Sequence, residues 1–169
     1  MRRLAIGSIA IVLLASLPCE SQETKAGPLT SLRQTKIVVE PLNEAAKTVG
    51  LSKKNLESQM LVRLRQDIPR LAVRESTFPF LYLQVTVLRD KTVGGRDLGF
   101  SACVELSMKR PVTIREDEGI GEVTFDLATI WSRGKILGGP RTSMRQQVKD
   151  EIDEQLTEFA ADYYRQNPP

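Results

Sequence analysis

Leu98-Gly99-Phe100-Ser101-Ala102-Cys103-Val104-Glu105-Leu106-Ser107-Met108 alternates large apolar side chains with small or polar ones along its whole length. A pleated strand turns successive side chains to opposite faces. Leu98, Phe100, Ala102, Val104, Leu106 and Met108 therefore share a buried side, and Gly99, Ser101, Cys103, Glu105 and Ser107 share a wet one. The pattern predicts a long strand in a sheet solvated on one face. Upstream, Phe80 to Leu88 sorts the same way, with Leu81, Leu83, Val85 and Val87 together, and Asp90 to Asp97, holding Gly94-Gly95, reads as a turn. Downstream, beyond the polar run Arg115-Glu116-Asp117-Glu118-Gly119, Val123, Phe125, Leu127, Thr129 and Trp131 alternate again. Two such strands joined by a polar turn predict an antiparallel hairpin. Pro111, with no N–H to give a ladder, marks a bulge or an edge position.

Further out, the β-branched run Thr35-Lys36-Ile37-Val38-Val39-Glu40, closed by Pro41, predicts the first strand. Ser52 is a helix N-cap by residue type. Leu51 before it and Leu56 after it form a hydrophobic staple. Leu56, Met60, Leu61, Leu64 and Ile68 recur at helical spacing, and Pro69 ends the run. Arg70 to Glu75 makes a short strand around Leu71 and Val73. From Thr142 or Ser143 a long helix presents Met144, Val148, Ile152, Leu156, Phe159 and Tyr163 on one face, with Asp150, Asp153, Glu154, Glu158 and Asp162 on an acidic outer side. Acids near its C-terminal end oppose the helix dipole, so packing must hold that end.

The expected fold is α+β: a two-layer, mostly antiparallel five-strand sheet with two helices on one face, in the order β-α-β-β-β-β-α. A right-handed crossover through the first helix lets the first two strands run parallel. The uncovered face would carry Tyr82, Gln84, Thr86, Ser101, Cys103, Glu105, Thr124, Asp126 and Ala128.

The N-terminus reads as a targeting segment. Met1-Arg2-Arg3 is followed by an uncharged run from Leu4 to Leu17, closed by Pro18. That run is shorter than the roughly 20 apolar residues that span a bilayer, so it predicts a signal peptide over residues 1–21, cut before Gln22. Residues 22–33 then form a leader with Gly27 and Pro28, and residues 34–166 one α+β domain, periplasmic or secreted, with no transmembrane segment in the mature chain. Ser16-Leu17-Pro18 before Cys19 departs from a lipoprotein signal and argues against a lipid anchor there. With Cys19 removed, Cys103 stands alone, and no intrachain disulfide forms; it reads as a small, half-buried filler.

Charge and residue content exclude most chemistry. The chain has 24 Lys+Arg and 21 Asp+Glu; without residues 1–21, which contain Arg2, Arg3 and Glu20, it has 22 against 20, a net +2. No basic face is concentrated enough for nucleic acid. There is no histidine, which removes Ser-His and Cys-His nucleophile pairs and histidine-bound zinc. Gly119-Ile120-Gly121 lacks the third glycine of a dinucleotide fingerprint and opens a strand. Ser132-Arg133-Gly134-Lys135 has a Ser-x-x-Lys spacing but sits in a glycine-rich strand exit, where a helix start is required. Glu116-Asp117-Glu118 supplies three carboxylates without the spaced ligands of a calcium loop. Lys53-Lys54, Arg63 and Arg65 read as the wet side of a helix, and Trp131 as core packing. No cofactor and no metal is expected.

Ile37-Val38-Val39-Glu40, Phe80-Leu81-Tyr82-Leu83-Gln84-Val85, the strand from Phe100 to Leu106, Ile130-Trp131-Ser132 and the tail from Val148 to Asn167-Pro168 together resemble a family of uncharacterised exported bacterial proteins of similar length. The likeness spans most of the mature chain and implies the same small α+β fold, with no activity to carry over. In element order the chain also resembles small envelope-assembly domains, such as those of assembly lipoproteins and of the Tol-system propeller protein. The functional expectation is a non-catalytic periplasmic or secreted binding domain that docks another envelope protein through Tyr82, Gln84, Cys103 and Glu105. A carrier of a small apolar ligand between sheet and C-terminal helix, and a histidine-free hydrolase, are the competing readings.

Overall fold

The computed structural model describes residues 27–75, 78–92, 95, 97–115 and 123–168. The signal segment with Cys19, the acidic run Glu116-Asp117-Glu118 and Gly119-Ile120-Gly121 lie outside them. In chain order the elements are β1 (Gln34–Val39), α1 (Glu44–Thr48), α2 (Lys53–Asp67), β2 (Ala72–Val73), β3 (Phe80–Lys91), β4 (Asp97–Arg115), β5 (Val123–Gly139) and α3 (Arg141–Gln166). The fold is α+β, as the alternation and the two apolar helical stripes require. Its five strands form one sheet in the order β2-β1-β3-β4-β5. β1 runs parallel to both β2 and β3, while β3, β4 and β5 form an antiparallel meander.

Both long helices lie on one side. Leu81, Leu83, Val85 and Val87 of β3, and Phe100, Ala102, Val104, Leu106 and Met108 of β4, are buried beneath Leu56, Met60 and Leu64 of α2 and Met144, Val148, Ile152, Leu156, Phe159 and Tyr163 of α3. Ser52 caps α2, its hydroxyl accepting the Asn55 N–H at 3.3 Å, with Leu51 and Leu56 buried beside it. The helix ends at Asp67, two residues before Pro69. Among the described residues no helix is long and apolar enough to cross a membrane.

Several sequence expectations are corrected. The short α1 was not foreseen; Asn43 builds it, accepting the Ala46 N–H through Oδ1 and donating Nδ2–H to the Val87 carbonyl at 2.7 Å. The second half of the leader packs on the domain. Leu29 and Leu32 are buried in the core, and Leu29 and Ser31 donate their N–H groups to Gln166 Oε1 and Asn167 Oδ1 at the end of α3.

The ladder slips at Ile130, because Met108 pairs with Trp131 but Lys109 pairs with Thr129. An extra residue on one strand reverses which way the following side chains point. Leu127 and Thr129 therefore lie on the face opposite Trp131, and Asp126 and Ala128 move off the open face expected for them. The side chain of Thr124 lies outside those described. The bulge is on β5 at Ile130, while Pro111 sits on β4 past Lys109, the last residue paired with β3. From that point β4 and β5 continue as a two-stranded arm; the six β4 residues of Arg110–Arg115 extend it by about 20 Å.

Candidate functional site

The face turned away from the helices is a grid whose rows follow from strand register. Tyr82 stands opposite Ser107, and Ser107 opposite Ser132; Gln84 is opposite Glu105, and Glu105 opposite Gly134; Thr86 is opposite Cys103, and Cys103 opposite Ile136. Parallel pairing adds Val38 beside Tyr82. The four residues singled out from sequence thus fall on one face within three consecutive rows. Cys103 is exposed, not half-buried, since its neighbours across the strands leave its thiol uncovered.

Tyr82 is the most constrained of the four. The Lys109 ammonium lies 4.1 Å from its ring centroid, a cation–π contact. Partial burial first, and then the neighbouring Glu40 carboxylate, hold its phenol above its ordinary 10.0. The surrounding apolar groups are the ones sequence reasoning missed. Ile136 is 78% exposed and Leu88 59% exposed, both on this face by register. Phe78 is exposed and stacks on Phe80, ring centroids 4.6 Å apart. Ile136 was hidden in sequence by its company: Gly134 before it and Gly138-Gly139 after it read as the exit of a strand, whereas they continue it. A side chain at Gly138 would meet nothing within 4 Å, so β5 is low and open around Ile136.

The opposite edge of β5 carries charge. Arg133 and Lys135 share the side of Trp131 and reach the acids of α3. Arg133 pairs with Glu158 at 2.9 Å and Asp162 at 3.6 Å; Lys135 pairs with Glu151 at 2.9 Å and Glu154 at 3.1 Å. The acidic outer side expected for α3 is therefore zipped to the sheet. Arg63, read as wet, likewise bridges the helices, 3.3 Å from Asp67, 3.6 Å from Asp153 and 3.1 Å from Thr157 Oγ1. Ser132 and Lys135, an odd number of residues apart on a strand, point to opposite faces, and the ammonium is committed to carboxylates; the Ser-x-x-Lys spacing builds no nucleophile. Among the described residues no group of His, Cys, Asp or Glu could hold a metal ion.

No protein-family model and no curated protein matches this chain. Similar solved structures include the rare lipoprotein B from Shewanella oneidensis, at 13% identity and a TM-score of 0.32, covering 78% of this chain and 91% of that one. A minor lipoprotein from Acinetobacter baumannii has 13% identity and a TM-score of 0.29, with 81% and 91% covered. A neuraminyllactose-binding hemagglutinin homolog from Helicobacter pylori has 12% identity and a TM-score of 0.31, with 84% and 87% covered. At such scores none of these likenesses carries a role over to this chain.

Around Trp131 the described side chains of the sheet and α3 pack directly against one another. Trp131 and Phe159 meet edge-on at 5.1 Å, and Leu106, Met108, Ile152 and Leu156 fill the space around them.

Proposed function

We propose that this chain is an exported, non-catalytic domain that docks another envelope protein on the open face of its sheet. The observation that carries the reading is Ile136, four-fifths exposed in the row of Thr86 and Cys103, on a face that no helix among the described residues covers. A monomeric surface seldom gathers large apolar side chains without a partner for them. Here Ile136 and Leu88 share the face of Tyr82, Gln84 and Glu105, which supply polar groups to fix orientation. Aromatic and apolar anchors ringed by polar side chains are what protein interfaces use. The targeting segment read from the N-terminus supports an envelope or extracellular setting for that partner.

The test is site-specific photocrosslinking in cells that make the protein. A crosslinker at Ile136 or Gln84 should capture one discrete protein species, and a crosslinker at Gln146, exposed on α3, should not. Gly138→Arg, which adds bulk to the open face where nothing is displaced, should abolish capture while leaving the melting temperature unchanged. Equal capture from Ile136 and Gln146, or capture indifferent to Gly138→Arg, contradicts the reading.

A further inference from the structure

A cleft of about 290 Å³ opens between α2 and the outer margin of β1, floored by Ile37, Leu61 and Val73. Its rim carries Lys36, Lys54, Arg65 and Arg74 against Glu57 and Glu75. Glu57 is already 3.7 Å from Lys53. None of the four rim cations has an ion pair or a side-chain hydrogen bond among the described residues, whereas other cations of the molecule, such as Arg63, Arg133 and Lys135, are paired. Uncompensated cations gathered at a concave wall concentrate anions there.

The backbone of β1 supplies a second, independent feature. The carbonyls of Arg33 and Thr35 accept the N–H groups of Ala72 and Arg74, on the β2 side. The N–H groups of Lys36 and Glu40 donate to Pro79 and Leu83, on the β3 side. Backbone groups of successive strand residues point to alternate sides, so odd-numbered residues of β1 address β2. But β2 ends at Val73, opposite Thr35. Ile37, the next odd residue, turns its N–H and C=O toward the cleft, where among the described residues no strand stands.

We infer that this cleft binds a short, extended acidic peptide of a partner protein. The peptide continues the line of β2, exchanges backbone hydrogen bonds with Ile37, and lays one row of carboxylates against Lys54 and Arg65 of α2, while Lys36 and Arg74 flank the added strand from the other face of the sheet. Strand addition supplies direction and charge supplies selectivity. A free anion would meet the cations but leave the Ile37 groups unanswered. The site uses none of the residues tested on the open face, so either proposal can fail alone.

The experiment titrates the purified protein with a capped Val-Glu-Val-Glu-Val-Glu peptide while amide exchange is followed residue by residue. The Ile37 N–H should gain protection. A Val-Gln-Val-Gln-Val-Gln peptide should bind roughly tenfold more weakly, as expected when rim charges lose their partners. Lys54→Glu with Arg65→Glu, both exposed on α2, should weaken the acidic peptide by a similar factor without lowering the melting temperature. Equal binding of the two peptides, an unprotected Ile37 N–H at saturation, or full displacement by inorganic phosphate at the peptide's own concentration overturns the inference.

Discussion

Trp131 is held by three contacts of different kinds. Its ring meets Phe159 edge-on, the Arg133 guanidinium lies 5.7 Å from its ring centroid, and its indole N–H donates to Asp162 Oδ2 at 2.9 Å. Trp131→Phe keeps most of the packing and removes the donor to a mostly buried carboxylate. It should cost about 1–3 kcal/mol, read as a lower urea midpoint. That Trp131 packs in the core was legible from its residue type; its acceptor, on another element, was not. The same holds at Glu151, which is 5% exposed and bonded to Gln155 at 2.8 Å and Lys135 at 2.9 Å. Glu151 and Gln155 fall three residues beyond Val148 and Ile152, inside the apolar stripe. The sequence did carry that signal, together with cations at period two after Trp131. Two groups link this region and the open face to alkaline pH. Lys135 is raised above its ordinary 10.5, chiefly by hydrogen bonds to Glu151 and then Glu154. Its stabilisation is full below 10.5 and is lost as pH rises through the folded value. Tyr82 is raised too, so the unfolded chain ionises first, and stability again falls as pH climbs past 10.0. The urea midpoint should decline above that pH, and Lys135→Met and Tyr82→Phe should each flatten the decline. A slope unchanged in both variants contradicts the assignment.

At the scale of elements, α2 and α3 were legible because each carries a long apolar stripe, and Ser52 marks where α2 begins. Ser52→Ala should cost about 1 kcal/mol of folding stability, the usual value of a lost N-cap, in a urea titration. α1, only five residues long, has no period to read. The slip at Ile130 could not be seen either. Val123 to Trp131 alternates without interruption, and only pairing with β4 shows where the count breaks. That slip decides what the arm beyond Lys109 and Thr129 does. Among the residues whose burial is described, none of the arm belongs to the core: the buried set stops at Met108 on β4 and resumes at Trp131 on β5. Replacing residues 112–126 with an Asn-Gly turn between Pro111 and Leu127 should therefore leave the melting temperature of the body nearly unchanged. A large fall would show that the arm packs on the body after all.

At the scale of the molecule, one-sided coverage follows from the stripes. Each long helix has a single apolar surface, and β3 and β4 offer only one continuous apolar face to receive it. The choice between the two faces was legible in Phe100 to Met108; Leu98, expected on the buried side, is 68% exposed because the ladder slips there, Asp90 pairing with Gly99 and Lys91 with Asp97. What shares the open face was only half legible, because the glycines around Ile136 read as the exit of the strand and hid its continuation. The most direct measurement is the reactivity of two adjacent thiols. In a chain whose Cys19 is serine, the Cys103 thiol should react with a water-soluble disulfide reagent nearly as fast when folded as in urea. Moved one residue, by Ala102→Cys with Cys103→Ser, the thiol should react only on unfolding, because Ala102 lies beneath the helices. Equal protection at the two positions would contradict a sheet covered on one side and open on the other.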